Sequence, residues 1–239
     1  MNLLITAGNT QTPIDRVRCI TNIFTGRTGA SIALEAYRRG NNVTFVTSHP
    51  EVLASESFDV SRWRCLPYRT FDELAERMAT HIAGSRLDAI VHCAAVSDYH
   101  AAGIFSPAPG TRFDDGQWHA GDNKPAMIDR VAGKVKSDEP ELWLRLVRAP
   151  KLIDKIRTDW QFVGILVKFK LEVGVSDADL LRIAERSRVH SAADWMVANT
   201  LEGAADWAFI GFGDTYSKVT RAELPGAVLD AIETGARHG

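Results

Sequence analysis

The chain has 239 residues, with 28 Lys and Arg against 30 Asp and Glu and a formal net charge of -2, which suits one large α/β domain with a substantial core. That balance leaves no electrostatic footprint for nucleic acid, and three scattered cysteines, Cys19, Cys65 and Cys93, make neither a disulfide framework nor a thiolate zinc site. No signal-peptide pattern opens the sequence and no apolar run approaches the roughly 18 residues that cross a bilayer, so a soluble, cytoplasmic protein without a membrane partner is expected.

Short β-branched runs alternate with amphipathic, alanine-rich segments, the pattern of a parallel sheet covered by helices. Asn2 to Thr6 reads as the first strand and Gly29 to Arg39 as the first helix, stopped by Gly40. Asn42 to Thr47 is the second strand, Arg64 to Tyr68 a weaker third, and Phe71 to Ala83 a helix. Leu87 to Cys93 reads as a buried central strand that opens into AAVSDY at 94 to 99. From Ala101 to Val131 the pattern dissolves, which suits a lid or binding segment. Strands then follow at 141 to 147, 162 to 171 and 194 to 199, with helices at 150 to 159 and 177 to 191, the latter capped by Ser176. A hairpin over 208 to 219 and a helix from Arg221 to Ala236 close the chain. The expected fold is therefore Rossmann-like α/β: a doubly wound, mostly parallel sheet with helices on both faces, a long flap at about 101–137 and a C-terminal β-hairpin, in a single domain over 1–239.

The most informative stretch is the loop from Gly8 to Gly29, GNTQTPIDRVRCITNIFTGRTG. A strand, a glycine-bearing turn and a helix N-terminus form an anion cradle, because free backbone N–H groups converge there. An ordinary dinucleotide turn takes only about six residues. Each of Gly8, Gly26 and Gly29 alone merely permits a turn; three around one junction favour phosphate. Asn22 reads either as a turn residue or as part of an active site, and Arg18 and Arg27 either as solvated or as phosphate partners. Asp98, just past a central strand end, suits a divalent cation, a substrate amide or a helix cap. Lys134 and Lys136, in GKVKS, are surface cations or the charge carried by a closing lid. Phe169 and Asn199 end two later strands, where they wall a base pocket or pack in the core. His92 and Cys93 point to opposite faces of one strand, so both read as packing residues.

These stretches together resemble a family, the phosphopantothenoylcysteine synthetases (phosphopantothenate–cysteine ligases) of coenzyme A biosynthesis. The resemblance rests on ITAGNTQTPIDRVRCITNIFTGRTG, AAVSDY at 94 to 99, GKVKS at 133 to 137, PKLI at 150 to 153, FKLE at 169 to 172 and DWMVAN at 194 to 199. The wording resembles the free-standing branch more than the form fused to a decarboxylase. It implies a two-step ligation: the phosphopantothenate carboxylate attacks the α-phosphate of CTP or ATP, and the cysteine amine then displaces the nucleotide from the acyl-nucleotide. It also implies a nucleotide site of Gly8, Gly26, Gly29, Phe169 and Asn199, and a phosphopantothenate site of Asn22, Ala94, Ala95 and Asp98. Arg18 would reach over from the partner subunit of a homodimer, Lys134 and Asn22 would be catalytic, and Mg2+ would enter with the triphosphate, with Asp98 as its carboxylate. The family's loop usually reads GGT and then N-x-S-S-G, whereas Asn9 and Phe24-Thr25 stand here. Two other readings remain: a Rossmann-type NAD(P)-dependent oxidoreductase, and a binding homologue that has lost catalysis.

Overall fold

The computed structural model describes residues 1–121 and 123–235. In chain order the elements begin β1 (Asn2–Ala7), β2 (Gln11–Pro13), β3 (Cys19–Thr21), α1 (Arg27–Arg38), β4 (Asn42–Thr47), β5 (Trp63–Pro67), α2 (Phe71–Gly84) and β6 (Ala89–His92). The middle of the chain supplies β7 (Tyr99–Pro107), β8 (Arg112–Asp114), β9 (Gln117–His119), β10 (Met127–Asp129) and β11 (Trp143–Arg148). The remainder is α3 (Leu152–Thr158), β12 (Ile165–Glu172), α4 (Asp177–His190), β13 (Trp195–Thr200), β14 (Trp207–Gly211), β15 (Ser217–Thr220) and α5 (Leu224–Gly235). Two compact units result. The larger holds Met1–Thr10, Ile23–Val96 and the chain from Lys151 onward; the smaller holds Gln11–Asn22 and Ser97–Pro150.

The larger unit is built on an eight-stranded sheet ordered β15-β14-β13-β12-β6-β1-β4-β5. The strands from β13 to β5 pair in parallel, and β14 and β15 add an antiparallel edge. Counted from β1, the parallel part runs third, second, first, fourth, fifth, sixth, the Rossmann order whose direction reverses beside the first strand. β1 is central, and Leu3, Leu4, Ile5, Thr6 and Ala7 are all buried, which is why NLLITA is apolar without alternation. Leu3, Ile5 and Ala7 join Val43, Phe45, Val91, Val167 and Ile210 under α1 and α5. Leu4, Ile90 and Leu166, fully buried, point to the opposite face, where α4 covers Met196, Ala198 and Phe209 with Leu180 and Ala184. The small residues Gly29, Ala30, Ala33 and Ala36 line the buried stripe of α1. Thr70 and Glu73 close a capping box on α2, and Ser176 caps α4 as the sequence anticipates.

The smaller unit is all β. β7 sits between β10 and β11 in an antiparallel sheet, and β2–β3 and β8–β9 are two-stranded ribbons. The β8–β9 ribbon is joined to β11 by an aromatic cluster in which Phe113, Trp118 and Trp143 have ring centroids 4.7 to 5.1 Å apart. The segment that lacks periodicity in the sequence is therefore not structureless: four strands lie between Tyr99 and Asp129. Three of them are only three residues long and mostly exposed, too short and too wet to alternate legibly. The loop between β1 and α1 likewise contains the β2–β3 ribbon. The last helix ends at Gly235 within the described residues, and Ala236, expected in it, lies outside them.

One ionisable network sits inside the larger unit. His92 is buried and shares a 3.0 Å hydrogen bond between Nδ1 and the Thr6 hydroxyl. Burial, reinforced by the charge of Lys168, lowers its pKa from 6.5 to about 4. Lys168 itself is drawn down to about 8 by burial and donates to the Ser187 carbonyl at 2.8 Å and the Ser191 hydroxyl at 2.5 Å. Between pH 6.5 and 4 the unfolded chain binds the His92 proton and the fold does not, so this stabilisation is complete above pH 6.5 and is withdrawn as pH falls toward 4. At about 1.36 kcal/mol per unit the loss reaches about 3 kcal/mol. Urea unfolding at pH 7 and at about pH 4.5 is expected to show a larger acid loss in the wild type than in His92→Asn; equal losses would remove His92 from the acid response.

Candidate functional site

The site starts from backbone sterics at the switch between β1 and β6. Gly26 caps α1 in the left-handed region, φ 78° and ψ 16°, and a Cβ there would run into Gly8, only 2.8 Å from its Cα. Gly8 has φ +86°, and its own Cβ would collide with the Ser48 hydroxyl. A Cβ already lies near Gly29, where an added one would sit 2.6 Å from that of Ala7 and 3.0 Å from the Thr6 carbonyl. The three glycines thus bring the start of α1 against the end of β1. The AAVSDY turn is stitched to the same place: Ala95 N–H donates to the Gly8 carbonyl at 2.8 Å, Thr10 N–H to the Ala95 carbonyl at 3.3 Å, and Ala94 N–H to the Thr6 hydroxyl at 3.2 Å.

Asn9, which stands where the resembling family has glycine, is buried and occupied. Its amide oxygen accepts from the Ser48 hydroxyl at 3.1 Å and lies 3.3 Å from His49 Nε2, while its backbone N–H donates to the Ser48 hydroxyl at 2.9 Å. The end of β4 is therefore spent on holding the turn.

A cavity of about 510 Å³ opens at this switch point, within the range of small-molecule pockets. Gly8, Gly26, Arg27, Ala94, Ala95, Phe169 and Asn199 all line it, so seven positions singled out in the sequence meet there; Gly29, on the buried face of α1, packs against Ala7 instead. Phe24 also lines it, as do Leu201, Thr28, Cys93 and Arg221, which the sequence reading did not assign to a ligand. Cys93 is thus more than packing: it faces the cavity, although burial pushes its thiol up to about 12, so it stays protonated and unreactive. Arg221 escaped notice because it comes 193 residues after Thr28, whose hydroxyl its guanidinium meets. The first turn of α1 carries no acid and Gly26 supplies no side-chain cap, so nothing negative of its own covers that helix end.

The other expected residues lie in the smaller unit. Arg18 donates to the Asp15 carboxylate at 2.7 and 3.1 Å and to the Val135 carbonyl at 2.9 Å. Asp15 also accepts from the N–H groups of Val17 and Arg18, both at 2.8 Å, and of Val135 at 3.1 Å. Arg18 foremost, with these N–H groups, holds the Asp15 carboxyl well below the ordinary carboxylate range. Arg16 N–H donates to the Gly133 carbonyl at 3.1 Å. Lys134 is consequently an exposed side chain on a backbone pinned on both sides, with Val135 buried next to it. Asn22 ends the first stretch of this unit, and Asp98 is exposed, its carbonyl accepting from Ala149 N–H at 2.8 Å. Among the described residues no group of three or more His, Cys, Asp or Glu is placed to hold a metal ion.

The strand order and the glycine-built cavity at its switch point define a Rossmann-like, doubly wound α/β protein. Within that class, residues 1–106 match the model of the family described as the DNA/pantothenate metabolism flavoprotein C-terminal domain. The chain is 31% identical to the coenzyme A biosynthesis bifunctional protein CoaBC of Thermococcus kodakarensis over 97% of this chain and 50% of that one. Against CoaBC of Escherichia coli it is 38% identical over 98% of this chain and 52% of the relative. The chain thus spans about half the length of the curated relatives it matches. The fold is shared with the DNA/pantothenate metabolism flavoprotein of Streptococcus pneumoniae, with a TM-score of 0.78, 23% identity and coverage of 98% of this chain and 99% of that one. It is also shared with a Cab2 variant in complex with phosphopantothenate-cysteine, with a TM-score of 0.68, 18% identity and coverage of 99% and 88%.

Gly26→Ala is expected to cost about 1–2 kcal/mol from the left-handed backbone alone, and more once Gly8 has to move. Thermal unfolding should register this as a fall of several degrees. An unchanged midpoint would mean that the Gly8–Gly26 approach is not a structural requirement.

Proposed function

We propose that the chain is a phosphopantothenate–cysteine ligase that activates its acid with CTP or ATP. The observation that carries this reading is the convergence of Gly8, Gly26, Phe169 and Asn199 on one cavity at the switch point. Backbone N–H groups at the start of α1 suit the phosphates. Phe169 offers a face for the base, and Asn199 offers a donor and an acceptor for its edge. The likeness to CoaBC proteins and to the Cab2 complex supports a role in coenzyme A biosynthesis.

In this reading Asn22, Ala94, Ala95 and Asp98 hold phosphopantothenate. Its carboxylate attacks the α-phosphate, pyrophosphate leaves, and the cysteine amine then attacks the acyl carbon and expels the nucleotide. Lys134 brings positive charge to the first step, where negative charge accumulates on the transferred group, and Asn22 orients the acyl-nucleotide. Mg2+ would come with the triphosphate, where Asp98 would supply a carboxylate to hold it and the ion would neutralise phosphate charge. The enzyme works in the cytoplasm as a homodimer, each Arg18 serving the other protomer's substrate, with the segment at about 101–137 as the flap of a single nucleotide-binding domain. The oxidoreductase alternative lacks an acid to grip a ribose at the end of β4, where Ser48 is engaged with Asn9.

The test supplies phosphopantothenate, cysteine, Mg2+ and either CTP or ATP and follows pyrophosphate. Release with one nucleotide is expected. Lys134→Ala should lower the first half-reaction by about a hundredfold or more, in line with the loss of one charge-stabilising donor. Asn22→Asp should lower turnover with unchanged thermal stability. Wild-type rates in both variants would dismiss these assignments, and binding without pyrophosphate would favour a non-catalytic homologue.

A further inference from the structure

Arg221 follows the β14–β15 hairpin and precedes α5. Its backbone N–H donates to the Asp206 carbonyl at 2.8 Å, and its guanidinium meets the Thr28 hydroxyl, so both ends of the residue are fixed. The side chain lines the switch-point cavity and is partly buried. Other arginines withdrawn from water in this protein face a carboxylate: Arg39 with Glu35 at 2.8 Å, Arg157 with Asp194 at 2.7 Å and Arg188 with Glu185 at 2.7 Å. Arg221 has no carboxylate partner among the described residues. The Cys93 sulfur nearby does not supply one, because burial keeps it a thiol. A guanidinium taken from water without a counter-charge is destabilising unless a ligand completes it. Its fork of five donors matches a phosphate bidentately, and Thr28 engages only one nitrogen of it.

We infer that Arg221 pairs with a phosphate group of the nucleotide bound in the switch-point cavity, an inference that rests on the nucleotide reading above. It gives the cavity a fixed cation: of the other basic residues lining it, Arg27 is exposed and Lys170 is paired with Glu172 at 2.9 Å.

Calorimetric titration of the wild type, Arg221→Met and Arg221→Lys with CTP, ATP, cytidine, adenosine and inorganic pyrophosphate tests this. Arg221→Met is expected to lose about tenfold or more in affinity for the triphosphate and pyrophosphate, the scale of a hydrogen-bonded charge, while nucleoside binding stays the same. Arg221→Lys should recover part of the loss. Parallel loss of nucleoside and triphosphate would assign Arg221 to packing and overturn the inference, as would undiminished triphosphate binding. Should Arg221→Met fail to fold, Arg221→Lys decides: weaker pyrophosphate binding with unchanged nucleoside binding supports the pairing, and unchanged binding of both overturns it. If the wild type holds pyrophosphate but neither nucleotide, and Arg221→Met releases it, the nucleotide reading fails while the phosphate pairing stands. A wild type that binds neither nucleotide nor pyrophosphate would overturn both.

Discussion

Two stretches of backbone meet without side chains between them where Gly26 passes Gly8. That approach sets the height of α1 above β1, and Gly29 lets the helix settle onto Ala7. From it follow the buried stripe of small residues on α1, the open helix end above the strand termini, and the cavity whose floor the two glycines form. The AAVSDY turn then closes the other side through Ala94 and Ala95, using main-chain groups and one threonine hydroxyl. Because the contact consists of backbone, its geometry does not depend on rotamers.

The regular half of this architecture was readable from the sequence. β4 begins and ends where its β-branched run does, Ser176 caps the helix it was expected to cap, and the C-terminal pair of strands is antiparallel. Long elements with one buried face carry a period, and periods survive in a single sequence. The smaller unit was not readable, since ribbons of three residues, stapled by Trp118 and Trp143 and by side-chain bonds from Asp15, leave no period to detect. Gly8, Gly26, Phe169 and Asn199 stand out in the sequence through the motifs around them, and all four line the cavity. Arg221 and Thr28 meet only through the fold, and no local pattern around Arg221 advertises the cavity it lines.

Charge is treated differently in the two units. In the smaller one Asp15 gathers three N–H groups and a guanidinium around one carboxylate, so that a few short loops are tied by a single anion. Such a hub is strong because its acceptors are ionised and its donors are mostly backbone, which loses little entropy on binding. In the larger unit Lys168 is buried with two oxygen acceptors, the Ser191 hydroxyl passing its own proton on to Asp154 at 2.6 Å. There the charge is accommodated by hydrogen bonds along a chain of groups.

The smaller unit is made of two stretches that leave the sheet after β1 and after β6. Thr12 donates to the Tyr99 carbonyl 87 residues later, and Val135 reaches back to Asp15 across 120. During synthesis β1, α1 and β4 can begin to assemble while 11–22 still has none of these partners, and at about 5–20 residues per second the wait lasts on the order of ten seconds. Val17 and Ile20 are exposed even in the finished fold. The arm that carries Arg18 is thus an early-made, late-closed part of the chain, and its order of assembly is set by topology and not by its own composition.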